Sequence, residues 1–256
     1  MSLEDPLFWT ALLKIIGINI VLSGDNAVVI ALAARSLPPK QQKMAIIWGS
    51  AAAVVMRIVL TFFAIALLEM HWLKLVGSVL LLWIGVKLLI PEAHGPDIKA
   101  SDSLLAAIKT ILIADLVMSL DNVIAVAAAA GGSVTLLVIG LAISIPLVVF
   151  GATMLLKLME RWPIIITIGA ALLGFVAGEM AWEDKAIAAF TSQFPGYMKY
   201  VIALAGAALV VGLGRFFAGK TLRKSAGEHL EHMGAHPDPE SKPTATSDPA
   251  RPSRTS

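Results

Sequence analysis

Long apolar runs alternate with short polar segments over the first 220 residues of the chain. Runs of about 17 to 25 apolar residues have the length of a helix that crosses the hydrocarbon core of a bilayer. The pattern predicts seven transmembrane helices, near residues 9–33, 44–68, 72–90, 104–130, 134–156, 163–182 and 198–218. From residue 221 onward the sequence is polar, contains prolines and lacks apolar periodicity, and it is predicted to be a disordered tail.

The composition agrees with an integral membrane protein. The chain is 57% hydrophobic and 15% charged, which is too apolar for an ordinary soluble domain. The first apolar run has no basic segment before it and no small-residue cleavage site after it, so it is predicted to stay as a helix and not to be a removable signal peptide. The absence of cysteine excludes disulfides and thiolate metal sites. A formal net charge of +2 gives no reason to expect a nucleic-acid partner.

The basic residues indicate how the chain is oriented. Lysines and arginines cluster after the first, third, fifth and seventh apolar runs, at Arg35, Lys40, Lys43, Lys99, Lys157, Arg161, Lys220, Arg223 and Lys224. The opposite side carries only Lys74, Lys185 and Lys199. Because basic residues concentrate in cytoplasmic loops, the sequence predicts a multi-pass protein of the cell membrane with its N-terminus outside and its C-terminus in the cytoplasm.

A shift of 96 positions superimposes two polar motifs that lie inside apolar runs. Residues 19–34 read NIVLSGDNAVVIALAA and residues 115–130 read DLVMSLDNVIAVAAAA. The matched polar positions are Asn19 and Asp115, Ser23 and Ser119, Asp25 and Asp121, and Asn26 and Asn122. Each copy belongs to a unit of three predicted spans, and an odd number of spans inverts the second unit relative to the first.

The predicted fold is therefore an all-α polytopic membrane protein made of two inverted three-helix repeats and a C-terminal seventh helix. The first repeat covers residues 1–92 and the second covers residues 93–183. The seventh helix lies within 184–220, and the disordered cytoplasmic tail covers 221–256.

Inversion also predicts depth in the membrane. Asp25 is placed level with Asp115, and Asn19 level with Asp121, in two layers about 9 Å apart at a rise of about 1.5 Å per residue. Around an ideal helix the two repeat aspartates are rotated away from the other polar residues of their motifs. Either each helix is locally unwound at its aspartate, or its polar residues face two different neighbours.

Ionisable residues inside membrane helices are costly and by default indicate a functional site. Carboxylate, amide and hydroxyl oxygens form a ligand set that suits Mg²⁺, Ca²⁺ or Mn²⁺. The candidate metal ligands are Asp25, Asn26, Asp115, Asp121 and Asn122, with Asn19, Ser23 and Ser119 as secondary ligands.

Arg57, near the middle of the second predicted helix, is the candidate counter-ion. Its position in the second repeat is apolar, near Val148. Three aspartates against one arginine leave two negative charges, which one divalent cation or two protons neutralise. This balance suggests the exchange of a divalent cation for protons. In the competing interpretation, the amides and hydroxyls only join helices, and Asp25 and Asp121 pair with Arg57 to hold the bundle together.

At SGDNAVVIALAARSLP and LVMSLDNVIAVAAAA the sequence closely resembles the TerC family of integral membrane proteins, and within it the shorter seven-span branch. The resemblance covers roughly residues 8 to 218. It implies a link to manganese efflux and metal homeostasis, with Asp25, Asn26, Asp121 and Asn122 as ion-site residues and Asp115 as an addition. Because Asn19 stands opposite Asp115, the chain departs from a symmetric four-acid site.

Together these features predict a secondary transporter that exports a divalent metal ion, with Mn²⁺ as the first choice, by proton antiport. Its partners are the metal ion, protons and the lipid bilayer, and a homo-oligomer is left open. No prosthetic group is expected. The alternative is a membrane partner protein that delivers metal to other proteins without net transport. An enzyme is not expected, since the chain has no phosphate-binding G-x-x-x-x-G-K-[ST] loop and no H-E-x-x-H pair.

Overall fold

The structure, a computed structural model, describes residues 6–22, 24–63, 66–67, 70–90, 100–131 and 133–234. Within these residues the secondary structure is all-α, as predicted. The helices are α1 (Pro6–Leu22), α2 (Gly24–Ala34), α3 (Pro39–Phe62), α4 (Leu73–Leu89), α5 (Ala100–Ala130), α6 (Val134–Arg161), α7 (Ile164–Trp182), the short α8 (Ala188–Thr191) and α9 (Met198–Gly234). A 3₁₀ turn, Lys185–Ile187, precedes α8.

Five segments are long and apolar enough to cross a membrane. They are Pro39–Phe62, Ser103–Leu120, Val134–Arg161, Ile164–Trp182 and Met198–Thr221. The 17 residues of α4 are at the lower limit of a spanning length. The predicted first span is represented by the two shorter helices α1 and α2, on either side of Ser23, which lies outside the described residues. The count of seven spans stays a prediction.

Local sequence explains two of the helix starts. α3 begins at Pro39, earlier than the apolar run at 44, because a proline in the first turn loses no helical hydrogen bond. α6 begins after Ser133, whose side chain accepts a hydrogen bond from the N–H of Leu136 at 3.3 Å. Such a cap satisfies one of the free N–H groups at a helix start.

The chain divides into two compact units, Met1–Thr221 and Leu222–Ser256. In the second unit, residues 222–234 are helical, because α9 continues to Gly234. The first part of the segment predicted to be a disordered tail is therefore helical. Lys, Arg and Glu are good helix formers, so the loss of apolar character at residue 221 does not have to end the helix. The rest of the predicted tail, 235–256, lies outside the described residues.

In the first unit, most of the helix packing joins the first half of the chain to the second. α3 packs along α5, while α1 and α2 pack along α6. α3 also contacts α6, and α4 packs along α7. Because of this interleaving, each half buries its apolar surface mainly against the other half.

Two apolar clusters fill the interior. One contains residues of α2, α4, α7, the early part of α5 and the late part of α6, and is centred on side chains such as Leu32, Leu81 and Leu173. The other contains residues of α1, the late part of α5 and the early part of α6, including Ile15 and Leu136. Polar side chains from the same helices lie between the two clusters.

The loop after α7 ties three helices together. Asp184 is buried, and its carboxylate accepts hydrogen bonds from the N–H groups of Trp72 (3.1 Å), Leu75 (2.9 Å) and Ala186 (2.7 Å). It therefore caps both the start of α4 and the 3₁₀ turn. Burial alone would raise the pKa of the Asp184 carboxyl, but these backbone donors outweigh burial and lower the pKa below its ordinary value.

Glu183, beside this cap, bridges two lysines. Its carboxylate accepts from Lys199 Nζ of α9 at 2.6 Å and from Lys74 Nζ of α4 at 3.2 Å. Partial burial acts to raise the pKa of Glu183, but the hydrogen bonds and charges of the two lysines lower it. Lys199 Nζ also lies 3.3 Å from Glu179 Oε1. This end of the bundle is held by charge as well as by apolar contact.

α9 reaches α7 through glycines. A Cβ placed on Gly174 would overlap with the carbonyl oxygen of Gly206, and a Cβ on Gly206 would overlap with the carbonyl oxygen of Gly174. The two backbones therefore touch each other directly, as is typical of small-residue contacts between membrane helices.

Candidate functional site

A layer of buried polar side chains lies between the two apolar clusters. Its members come from α2, α3, α5 and α6 and are each at most 7% exposed: Asn26, Ser50, Arg57, Asp115, Ser119, Asn122 and Ser144. Since a buried charge needs a partner and buried polar groups need hydrogen bonds, this layer has to be organised by internal contacts.

An ion pair between α3 and α5 forms the centre of the layer. The Arg57 guanidinium donates to both oxygens of Asp115, from Nη2 to Oδ1 and from Nε to Oδ2 at 3.3 Å. Arg57 Nε also donates to Ser119 Oγ at 2.8 Å, and the Ser119 hydroxyl donates to Asp115 Oδ2 at 3.2 Å. The guanidinium thus makes a bidentate contact with the carboxylate, which is the geometry of strong charge-assisted hydrogen bonds. The sequence predicted Arg57 as a counter-ion, and the structure gives it Asp115 as a partner.

Asp25 lies beside this pair. It is the second described residue of α2, after Ser23, and its Oδ1 accepts from the N–H of Asn26 at 2.8 Å. Asp25 also interacts electrostatically with Arg57 and with Asp115. The two carboxylates are within range of each other's charge, while the predicted equal depth of Asp25 and Asp115 in the membrane stays a prediction.

The second copy of the motif lies on an uninterrupted helix. α5 is helical through Asp121 and Asn122, so the structure gives no unwinding at this aspartate. Asn122 is one of the buried residues of the layer. The side chains of Asp121 and Asn19, and all of Ser23, lie outside what the structure describes. Their predicted roles as ligands stay predictions.

A small cavity opens onto the ion pair. Its volume is about 10 Å³, close to the minimum for one water molecule, and its polar walls are formed by Asn26, Ser50, Arg57, Asp115 and Ser144. The Ser144 hydroxyl donates to the carbonyl of Leu141 in its own helix at 2.6 Å, whereas Ser50 Oγ has no hydrogen-bond partner among the described residues.

Sequence reasoning missed Ser50 and Ser144. Each is an isolated serine inside an apolar helix, in WGSAAAV and LAISIPL, and neither belongs to the doubled motif. The only signal in the sequence was a single hydroxyl near the middle of a predicted span. Such hydroxyls commonly bond to their own helix.

The described side chains include no group of three or more His, Cys, Asp or Glu residues that could hold a metal ion. The layer and the adjacent Asp25 instead combine two carboxylates and one guanidinium with neutral amide and hydroxyl oxygens. Hard cations accept such mixed oxygen sets. Whether Asp121 adds the third carboxylate is a question for its side chain, which is not among those described.

Comparison with known proteins identifies relatives over nearly the whole helical region. Residues 4–222 match the model of the Integral membrane protein TerC family. The chain is 48% identical over 183 residues to YjbE, an uncharacterized membrane protein of Bacillus subtilis, a match that covers 72% of this chain and 84% of YjbE. It is 26% identical over 219 residues to the B. subtilis membrane protein YceF, covering 82% of this chain and 83% of YceF.

A third relative is the inner membrane protein YgdQ of Escherichia coli K12, which is 26% identical over 200 residues, or 71% of this chain and 84% of YgdQ. No solved structure matches the chain.

Proposed function

Because the chain belongs to the TerC family of multi-pass integral membrane proteins, we propose that it is a secondary transporter exporting a divalent metal ion, with Mn²⁺ as its preferred cargo, in exchange for protons. One observation carries the proposal. Arg57 and Asp115 pair inside the buried polar layer, with Asp25 within electrostatic range, in a region where ionisable groups are retained only at a high cost.

The chemistry of the layer favours a hard cation. Carboxylate, amide and hydroxyl oxygens bind Mg²⁺, Ca²⁺ and Mn²⁺, whereas the softer thiolate ligands are absent from the whole sequence. The preference for Mn²⁺ among these ions rests on the family resemblance. If the side chain of Asp121 joins the layer, three carboxylates face one guanidinium. One divalent ion or two protons would then balance the charge, with the carboxylates titrating as a coupled group.

Matched helix contacts support the inverted-repeat architecture. Gly49 of α3 packs against Ile111 of α5, and Gly140 of α6 packs against Ile15 of α1. Ile15 and Ile111 are related by the same shift of 96 positions that relates the two polar motifs. The second helix of each predicted repeat thus meets the first helix of the other repeat at a glycine. Inverted repeats around a central site are the architecture of many alternating-access transporters.

The predicted orientation has the N-terminus outside and the C-terminus in the cytoplasm. The chain has no cysteine, so a single cysteine introduced at an exposed position shows on which side of the membrane that position lies. We expect Gln193→Cys to react with a membrane-impermeant maleimide added to intact cells, and Lys40→Cys to react only after the membrane is opened. The reverse pattern would contradict the orientation.

The transport experiment compares Mn²⁺ flux into proteoliposomes with and without an imposed pH gradient. The variants are Asp25→Asn and Asp121→Asn, and Glu160→Gln serves as the matched control because this acid is exposed at the end of α6. We expect gradient-dependent flux in the wild type and in Glu160→Gln, and none in the two aspartate variants. The same assay with Ca²⁺ and Mg²⁺ shows which of the three ions is transported fastest.

Absence of flux of any of the three ions, with folded protein in the vesicles, would overturn the transporter proposal. The alternative, a membrane partner that delivers metal to other proteins, would then take its place. Metal-ion flux that does not depend on the pH gradient would contradict only the proton-coupling part of the proposal.

A further inference from the structure

Both oxygens of the Asp115 carboxylate are engaged by protein donors. Oδ1 accepts from Arg57 Nη2, while Oδ2 accepts from Arg57 Nε and from the Ser119 hydroxyl. A cation that coordinates Asp115 from the same side would meet the guanidinium charge at close range. Two positive charges on one carboxylate repel each other strongly in a buried site, where the effective dielectric constant is low.

Only one of the two half-sites related by the predicted repeat carries both charges of this pair. The repeat counterpart of Asp115 is Asn19, and the corresponding part of the second repeat, near Val148, has no arginine to match Arg57. The second half-site therefore lacks both the acid and the arginine. Arg57 pairs with Asp115, the acid that has no acidic counterpart in the other repeat.

The cavity beside the pair holds oxygen atoms suited to a cation. Asn26, Ser50 and Ser144 face it together with Asp115, and the Ser50 hydroxyl is 1% exposed without a hydrogen-bond partner in the described part of the chain. A buried hydroxyl without a partner is unfavourable. With a volume of about 10 Å³, the cavity has space for about one water molecule, too little for a divalent ion together with its remaining water ligands.

We propose, building on the transport function above, that Arg57 is a tethered cation: it holds Asp115 while no metal ion is bound, and the arriving ion displaces it. Asp25 interacts electrostatically with Arg57 and provides a nearby carboxylate for the displaced guanidinium. Arg57 is then the residue that sets the affinity of the site, because every ion that binds Asp115 has to compete with it.

The test measures Mn²⁺ binding to purified protein in detergent at fixed pH, by the electron paramagnetic resonance signal of free Mn²⁺. The proteins are the wild type, Arg57→Gln, Arg57→Lys and the control Arg161→Gln, which removes an exposed arginine at the end of α6. We expect Arg57→Gln to bind Mn²⁺ at least about tenfold more tightly than the wild type. The Mn²⁺ affinity of Arg57→Lys should lie between these two, because a lysine ammonium cannot make the bidentate contact of a guanidinium. Arg161→Gln should have the Mn²⁺ affinity of the wild type.

Unchanged or weaker Mn²⁺ affinity in a folded Arg57→Gln or Arg57→Lys protein overturns the tethered-cation proposal while leaving the transport function in place. Absence of Mn²⁺ binding and flux in the wild type overturns both.

A measurement on the wild type covers the case in which Arg57→Gln does not fold. In protein labelled with ¹⁵N-arginine, the Arg57 Nε–H resonance, assigned by its loss in Arg57→Lys, should shift when Mg²⁺ is added. A resonance that stays in place at saturating Mg²⁺ contradicts displacement of the guanidinium.

Discussion

Gly140 lies against Ile15 so closely that the Cβ of any larger residue at position 140 would overlap with Ile15 Cγ2 and lie 3.1 Å from Ile15 Cβ. The matched contact, between Gly49 and Ile111, is slightly looser: a Cβ on Gly49 would lie 2.8 Å from the terminal Cδ1 of Ile111. The two contacts join corresponding helices of the two halves, so their strength bears directly on how the halves are held together.

Gly140→Ala should destabilise the protein by about 1–3 kcal/mol, because the added methyl overpacks a fully buried contact. Gly49→Ala should cost less, since the Ile111 methyl that it meets can rotate away. Thermal unfolding in detergent micelles measures both. The control is Gly212→Ala, where a Cβ would meet nothing within 4 Å and the gain in helix propensity should raise stability slightly. Equal stability of Gly140→Ala and Gly212→Ala would disprove the close contact.

Removal of the Asp184 carboxylate should destabilise the loop between α7 and α9. Asp184→Ala leaves the N–H groups of Trp72, Leu75 and Ala186 without their acceptor, which should lower stability by about 1–3 kcal/mol. Asp184→Asn should cost less, because its carbonyl oxygen still accepts. The melting temperature of each variant at pH 7 provides the measurement.

The same carboxylate should make stability depend on pH. The pKa of Asp184 is lower in the folded protein than its ordinary value of 3.8, so its contribution is present above about pH 4 and is lost as the pH falls through the folded pKa. The wild type should therefore lose stability below about pH 4, and Asp184→Asn should lose less over the same range. Because the pKa of Glu183 is also lowered, Glu183→Gln is measured in parallel to separate the two groups. The same dependence of stability on pH in the wild type and in both variants would contradict a lowered pKa of Asp184 in the folded protein.

A double-mutant cycle should show strong coupling between Arg57 and Asp115. Either Arg57→Gln or Asp115→Asn leaves one buried charge without a partner and should cost about 3–5 kcal/mol. The double variant removes both charges and should be clearly more stable than the sum of the two losses implies. Unfolding free energies of the four proteins in the same detergent give the coupling. Additive losses would mean that the two side chains do not interact in the folded protein.

Ser50→Ala should separate binding from stability. The hydroxyl has no hydrogen-bond partner in the described structure, so its removal should leave the unfolding free energy unchanged or raise it by up to about 1 kcal/mol. If Ser50 contributes an oxygen to the cation, Mn²⁺ affinity should fall several-fold in the same variant. Ser78→Ala is the matched control: this buried serine donates to the Leu75 carbonyl at 2.8 Å, so its loss should lower stability without changing affinity. A less stable Ser50→Ala with unchanged affinity would exclude the role.

The apolar runs predicted the helices well because a bilayer leaves the backbone few alternatives to a helix. The sequence also singled out Asp25, Arg57 and Asp115, and the structure has both aspartates interacting with Arg57. Helix ends were predicted less well. Loss of apolar character marks the edge of the membrane, whereas α9 continues through polar residues that favour a helix.

Ser50, Ser144 and the Asp184 cap depend on which helices become neighbours, and one sequence does not contain that information. A serine in an apolar helix is equally compatible with a contact to its own backbone and with a place at a shared cavity. Only the packing of α3, α5 and α6 around the ion pair distinguishes the two.

The direct backbone contact between Gly174 and Gly206 has a mechanical consequence. Sliding of packed helices is accommodated by small changes of side-chain rotamers, and this contact has no side chain to change. We therefore expect α7 and the part of α9 up to Thr221 to move together in any rearrangement. The displacements are then expected at interfaces where side chains, and not two backbones, make the contact.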